Sequence, residues 1–211
     1  MGGHNFIKAY YDGIQAGTYT VGRWVRLVYE YLMTGLEEGR FYFDQEKADD
    51  AIAWFEEHCF HTEGDLAPGP IRLEVWQKAL LSAMYGIVDA DGFRQFREVL
   101  LLVGRKNGKT KIASGAASYC WRKNGGYGAR VFCIAPKLEQ ADLVYADVWQ
   151  MTQLDPDWQD LREELDERDV HNKRVRDNSM LAKRRQSDLA VPGTNSTVKK
   201  IAFSAKKSDG F

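Results

Sequence analysis

The 211 residues, 44% of them hydrophobic, suffice for one domain of about 100 to 200 residues plus an accessory segment around a real core. No apolar run approaches the roughly 20 residues that span a bilayer, and the start Met-Gly-Gly-His-Asn lacks the basic and apolar regions of a signal peptide, so a soluble cytosolic chain without a membrane partner is expected. The net charge of -1 conceals an asymmetry: residues 1–64 carry five Lys/Arg against eleven Asp/Glu, whereas residues 171–211 carry ten Lys/Arg against three Asp, a pattern of either a solvated surface or a nucleic-acid surface.

In chain order, Val21, Trp24, Val25, Val28, Leu32 and Leu36 recur at helical spacing, with Gly35 and Gly39 near the stop. Asp44 is placed to cap a second helix with the stripe Ala48, Ala51, Ile52, Phe55 and Cys59, ended by the breaker segment 64–70. Leu73, Trp76, Leu80, Leu81 and Met84 mark a third. Residues 1–90 therefore read as a helical region. Cys59, Cys120 and Cys133, odd in number and set among apolar residues, read as buried hydrophobes rather than a disulfide framework. His58 and His61 flank Cys59 and Phe60 without a second ligand pair, which is poor support for zinc.

The texture changes after Asp91-Gly92. Residues 97–103 form a short apolar run expected as a strand buried on both faces, and 130–135 form another. A helix-length segment, 109–123, lies between them, and the right-handed crossover rule makes the two strands parallel. Pro136 stops the second strand; Leu138, Ala141, Tyr145, Val148 and Trp149 give a helical face; 157–168 looks helical, 170–197 is polar, basic and weakly patterned, and 198–205 offers a third strand. The fold class expected is α/β, a parallel sheet of the P-loop NTPase type flanked by helices, with 91–211 as a partial core.

At the junction of the first strand and its helix stands Val-Gly-Arg-Lys-Asn-Gly-Lys-Thr, residues 103–110. Backbone N–H groups at a helix start face a triphosphate with the right polarity, Gly104 and Gly108 allow close approach, Lys106 and Asn107 add a polar loop, Lys109 would reach the β- and γ-phosphates, and Thr110 would offer its hydroxyl to Mg²⁺. The pattern G-x-x-x-x-G-K-[ST] wants glycine where Val103 stands, and a turn that contains Gly-Lys-Thr by chance is the alternative.

Arg105 to Thr110, read with Phe41-Tyr42-Phe43-Asp44, Leu73-Glu-Val-Trp-Gln77, the lead-in Asp91 to Arg97, and Ala135-Pro-Lys-Leu-Glu-Gln-Ala141, resembles the large terminase subunits of tailed bacteriophages, whose phosphate loop carries a basic residue in place of the early glycine. The resemblance covers most of residues 10–150. It implies an ATPase that uses ATP and Mg²⁺ to drive double-stranded DNA into a procapsid, with a portal protein and a small terminase subunit as partners, a homo-oligomeric ring, and a location in the cytoplasm of a bacterial host. It also implies that Gln77 contacts adenine and that Arg105 senses or polarises the γ-phosphate. Trp76 reads as core.

An acidic pair ending an apolar strand, needed to hold the metal and order water, is not found; Glu163-Glu164 lies in a polar helical stretch and Ile87-Val88-Asp89 follows too short a run. In the resembled family that strand, and then a nuclease domain, would follow a segment like 204–211. The chain is therefore expected to be an ATPase domain incomplete at its C-terminus, inactive in hydrolysis by itself, with exposed apolar surface at an unpaired edge. The basic residues Lys173, Arg174, Arg176, Lys183, Arg184 and Arg185 belong to a segment, 157–197, read as a lid or a DNA-facing surface. A non-hydrolysing nucleotide-binding or assembly module, or another P-loop DNA translocase, are the competing readings.

Overall fold

The computed structural model describes residues 4–160, 183–184 and 188–203. The chain divides into two units, one of residues 1–56 and 72–102, the other of 57–71 and 103–211.

The first unit is mainly helical. Its opening helix α1, Phe6–Gln15, escaped the sequence reading although Ile7, Tyr10 and Ile14 lie on one buried face; Asn5 caps it, its side chain accepting from the Lys8 N–H at 3.0 Å. Helix α2, Arg23–Glu37, falls where expected, but it buries Tyr29, Leu32 and Gly35, while Trp24 and Val28 of the expected stripe are exposed. Tyr29 instead meets Tyr10 of α1 edge-on, with ring centroids 4.9 Å apart, and burial raises its phenol pKa. Strand β1, Tyr42–Phe43, pairs antiparallel with β2, Ile87–Val88. Asp44 caps α3, Gln45–His58, by accepting from the Lys47 N–H at 3.1 Å, and Ala48, Ala51, Ile52 and Phe55 are buried along it as their spacing requires. Helix α4, Val75–Leu81, runs on as a wider π-turn over Ser82–Gly86.

The second unit carries helix α5, Lys109–Tyr119, extended by a π-turn over Cys120–Asn124, then strand β3, Arg130–Ala135, and helix α6, Leu138–Leu154. Three further strands follow among the described residues: β4, Lys183–Arg184; β5, Asp188–Val191; and β6, Ser196–Ala202. The sheet order is β3-β6-β5-β4; β3 and β6 are parallel, with Arg130 opposite Thr197 and Ala135 opposite Ala202, and the other two pairings are antiparallel. The sheet is therefore mixed. The core unites Ala117 and Trp121 with Cys133, Tyr145, Val148, Leu189 and Val198. Small residues at Ser114, Gly115 and Ser118 let α5 lie close to its neighbours. Burial raises the Cys59 thiol to about 12 and the Cys133 thiol to about 11, and among the described residues no disulfide joins the cysteines.

Two expectations change. Residues 97–103 form no strand, and Leu100 and Leu102 are 84% and 83% exposed. An apolar run becomes a strand only when its N–H and C=O groups find a ladder partner, and the described strands beside β3 provide the parallel pairing through β6 instead. The expected parallel partner of β3 is thus replaced by a segment more than sixty residues downstream, which begins at Ser196 rather than Val198. Second, the weakly patterned stretch conceals β5, whose four residues are all buried. Of the residues expected to be helical at 157–168, those beyond 160 lie outside the described residues, as do Lys173, Arg174, Arg176 and Arg185. Among the described residues no helix is long and apolar enough to cross a membrane.

Gly35 faces the fully buried Phe41: a Cβ there would stand 2.2 Å from the ring Cζ. Gly35→Ala should lower stability in chemical denaturation by about 2 kcal/mol, because the overpacking outweighs the gain in helix propensity.

Candidate functional site

The segment that holds the Gly-Lys-Thr motif turns into α5 through two left-handed residues, Lys106 with φ of 66° and Gly108 with φ of 70°. Glycine adopts that conformation freely, whereas a lysine there is strained by about 1 to 2 kcal/mol. The Asn107 side chain holds the turn from within, its Nδ2 donating to the carbonyls of Gly104 and Arg105, each at 3.3 Å. Gly108 is the N-cap, and its carbonyl accepts from Ile112 N–H at 2.9 Å. The N–H groups of Lys109, Thr110 and Lys111 precede that bond, and no side chain caps them.

Gly104, Arg105, Lys106, Asn107, Gly108, Lys109 and Thr110 are all exposed. No acidic residue occupies the first turn of α5, and Arg105, Lys106, Lys109 and Lys111 crowd around it. Cations at a helix N-terminus oppose the helix dipole, so this sequence works against its own helix start unless a polyanion sits there. The predicted loop residues are thus contiguous and open at the positive end of a helix. Gln77 belongs to the other unit, in the first turn of α4, where its Oε1 accepts from the Glu74 N–H at 2.8 Å.

Beneath the loop lies a polar cluster that sequence reading missed. Lys111, the residue after Thr110, directs its ammonium to the Asp147 carboxylate of α6 and to the Thr62 hydroxyl at 2.5 Å, and the same hydroxyl donates to Asp147 Oδ1. Sequence separations of 49, 36 and 85 residues hide the group from any local pattern. A second cluster surrounds Asp155, whose side chain is fully buried: His58 Nδ1 lies 3.2 Å from Oδ1, and Arg122 pairs with Oδ2. Burial pushes the Asp155 pKa up, but the hydrogen bond to His58 and the charge of Arg122 outweigh it and leave the carboxyl below its ordinary value. His58, Asp155 and Asp157 are the only described group near metal-ligand spacing, and the Arg122 guanidinium already supplies the cation there. His61 is not part of it; its backbone N–H bonds to Gly69.

Residues 75–211 match the family model for the terminase large subunit, ATPase domain. Among solved structures, the crystal structure of the large terminase of bacteriophage HK97 is similar, with a TM-score of 0.54 and 22% identity over 78% of this chain. This chain spans 29% of that protein's length. No curated protein matches.

Lys106→Gly should raise stability by about 0.5 kcal/mol in denaturant titrations, since relief of the left-handed strain exceeds the extra freedom of an unfolded glycine. Asp155→Asn should lower stability at neutral pH by about 3 kcal/mol, because it leaves Arg122 without its buried counter-charge. The native carboxyl titrates below its unfolded value of 3.8, so its contribution is complete above that pH and is lost as pH falls through the native pKa. Acid unfolding curves should therefore be steeper below about pH 4 in the parent protein than in the variant.

Proposed function

The chain belongs to the terminase large-subunit ATPase family, and from that premise we propose that residues 104–110 bind ATP with Mg²⁺. The observation that carries the reading is the uncapped, acid-free and cation-rich start of α5, exposed behind a strained left-handed turn. The N–H groups of Gly108, Lys109 and Thr110 would donate to phosphate oxygens, and Lys109 would neutralise the β- and γ-phosphates. Arg105 would offset charge on the terminal phosphoryl group. Mg²⁺ takes few protein ligands and completes its shell with phosphate oxygens and water, and the exposed Thr110 hydroxyl suits that donor set. When bound, the ion supplies charge neutralisation between the two terminal phosphates. Gln77 has the donor and acceptor to read an adenine edge, although its oxygen is engaged in the α4 cap.

Hydrolysis also needs a carboxylate that orders or activates water. Asp147, joined to α5 through Lys111, is committed to that lysine and to Thr62. We therefore assign nucleotide binding to residues 104–110 and no water-activating role to Asp147. In the whole protein the family points to hydrolysis coupled to the movement of double-stranded DNA into a procapsid, by a ring of subunits working with a portal protein and a small subunit in the host cytoplasm. Lys183 and Arg184, exposed on β4, are the described part of the basic segment that would meet DNA phosphates.

Lys109→Ala should weaken magnesium-dependent ATP binding by at least about tenfold with the unfolding midpoint unchanged, measured by equilibrium titration with phosphate release followed in parallel. Equal binding by parent and variant would refute the site.

A further inference from the structure

Lys109 and Thr110 are exposed, but the next residue, Lys111, turns inward, its side chain only 17% exposed. Its ammonium meets Asp147, whose side chain is 7% exposed, and the hydroxyl of Thr62, from the segment between α3 and α4. Three stretches distant in sequence therefore converge on one cation in the first turn of α5. The second Asp147 oxygen, Oδ2, is buried and has no hydrogen-bond partner among the described residues. Burying an ion pair gives little net stability compared with an apolar pair of similar volume, and an unmatched carboxylate oxygen makes this one less favourable still. Stability alone gives no account of the cluster; geometry does. Successive side chains on a helix are turned by about 100°, so a fixed inward direction for Lys111 sets the directions of Lys109 and Thr110.

We propose that Lys111, clamped by Asp147 and Thr62, is a positioning residue that fixes the rotation of the first turn of α5 and so aims its amide groups, Lys109 and Thr110 at the phosphates. The inference rests on the phosphate-binding reading of residues 104–110. Displacement of a binding group by about 1 Å is enough to forfeit much of its contribution, and a clamp made of one salt bridge and a shared hydroxyl limits that displacement in a way that apolar packing does not.

The test compares the 211-residue chain with Lys111→Met/Asp147→Leu, which removes both charges together and leaves no orphaned ion. The probe is a fluorescent ATP analogue with magnesium, read beside hydrogen exchange of residues 109–112 and the thermal midpoint. The expected result is a loss of affinity of about fivefold and faster exchange in the first turn of α5, with a midpoint close to the parent's, while Lys111→Arg, which keeps charge and donors, retains the parental affinity. Should the double variant not fold, Thr62→Val decides on the same readouts, with a smaller loss of affinity expected. Parental affinity in the double variant while Lys109→Ala is impaired overturns the positioning role alone. Parental affinity in Lys109→Ala overturns the phosphate reading, and this inference with it.

Discussion

A helix start that gathers cations around its own positive pole is the constraint from which this account proceeds. Lys109 and Lys111 occupy the first turn of α5, Arg105 and Lys106 precede it, and that turn itself holds neither an acidic residue nor a capping side chain. The unpaired N–H groups add partial positive charge in the same place. Lys111 is relieved by Asp147, whereas Arg105, Lys106 and Lys109 are exposed. A polyanion would satisfy all of them at once, and under the proposed phosphate-binding reading the left-handed strain at Lys106 serves that ligand.

The second unit also shows how buried charge is used away from the loop. Asp155 is enclosed completely, yet His58 and Arg122 leave it ionised, and its own oxygen accepts the Asp157 N–H at 3.1 Å where the chain leaves α6. The carboxylate thus ties the end of α3, the π-turn after α5 and the end of α6 to one point. Asp147 does the same at the other end of α5. Two carboxylates of α6 and its cap accordingly grip α5 near both ends, through Lys111 and through Arg122 of its π-turn, and the apolar core of Trp121, Tyr145 and Val148 fills the space around them.

The sequence revealed those parts whose signals are local. The Asp44 cap, the α3 stripe, the strand at 130–135 and the Gly-Lys-Thr turn at a helix start depend on neighbours within one or two turns, and each stands where its pattern placed it. The remainder depended on partners. Residues 97–103 have the composition of a strand, but composition says nothing about where a ladder partner stands, and the run forms no strand and is largely exposed. In α2 the expected stripe was right in part: Leu32 is buried and Leu36 packs on the same core, but Trp24 and Val28 are exposed and Tyr29 turns inward to meet Tyr10 of α1. β5 was masked by basic neighbours, and the Lys111, Asp147 and Thr62 cluster exists only in three dimensions. The candidate loop was legible; what aims it was not.

The most direct measurement of the central claim is a magnesium–ATP titration of the isotopically labelled chain, followed through the backbone amide signals of residues 104–112. Saturable shifts concentrated at Gly104, Gly108, Lys109 and Thr110, with deshielding expected of amides that donate to phosphate, are what the account predicts. Binding that moves signals elsewhere and leaves these amides unchanged would contradict it.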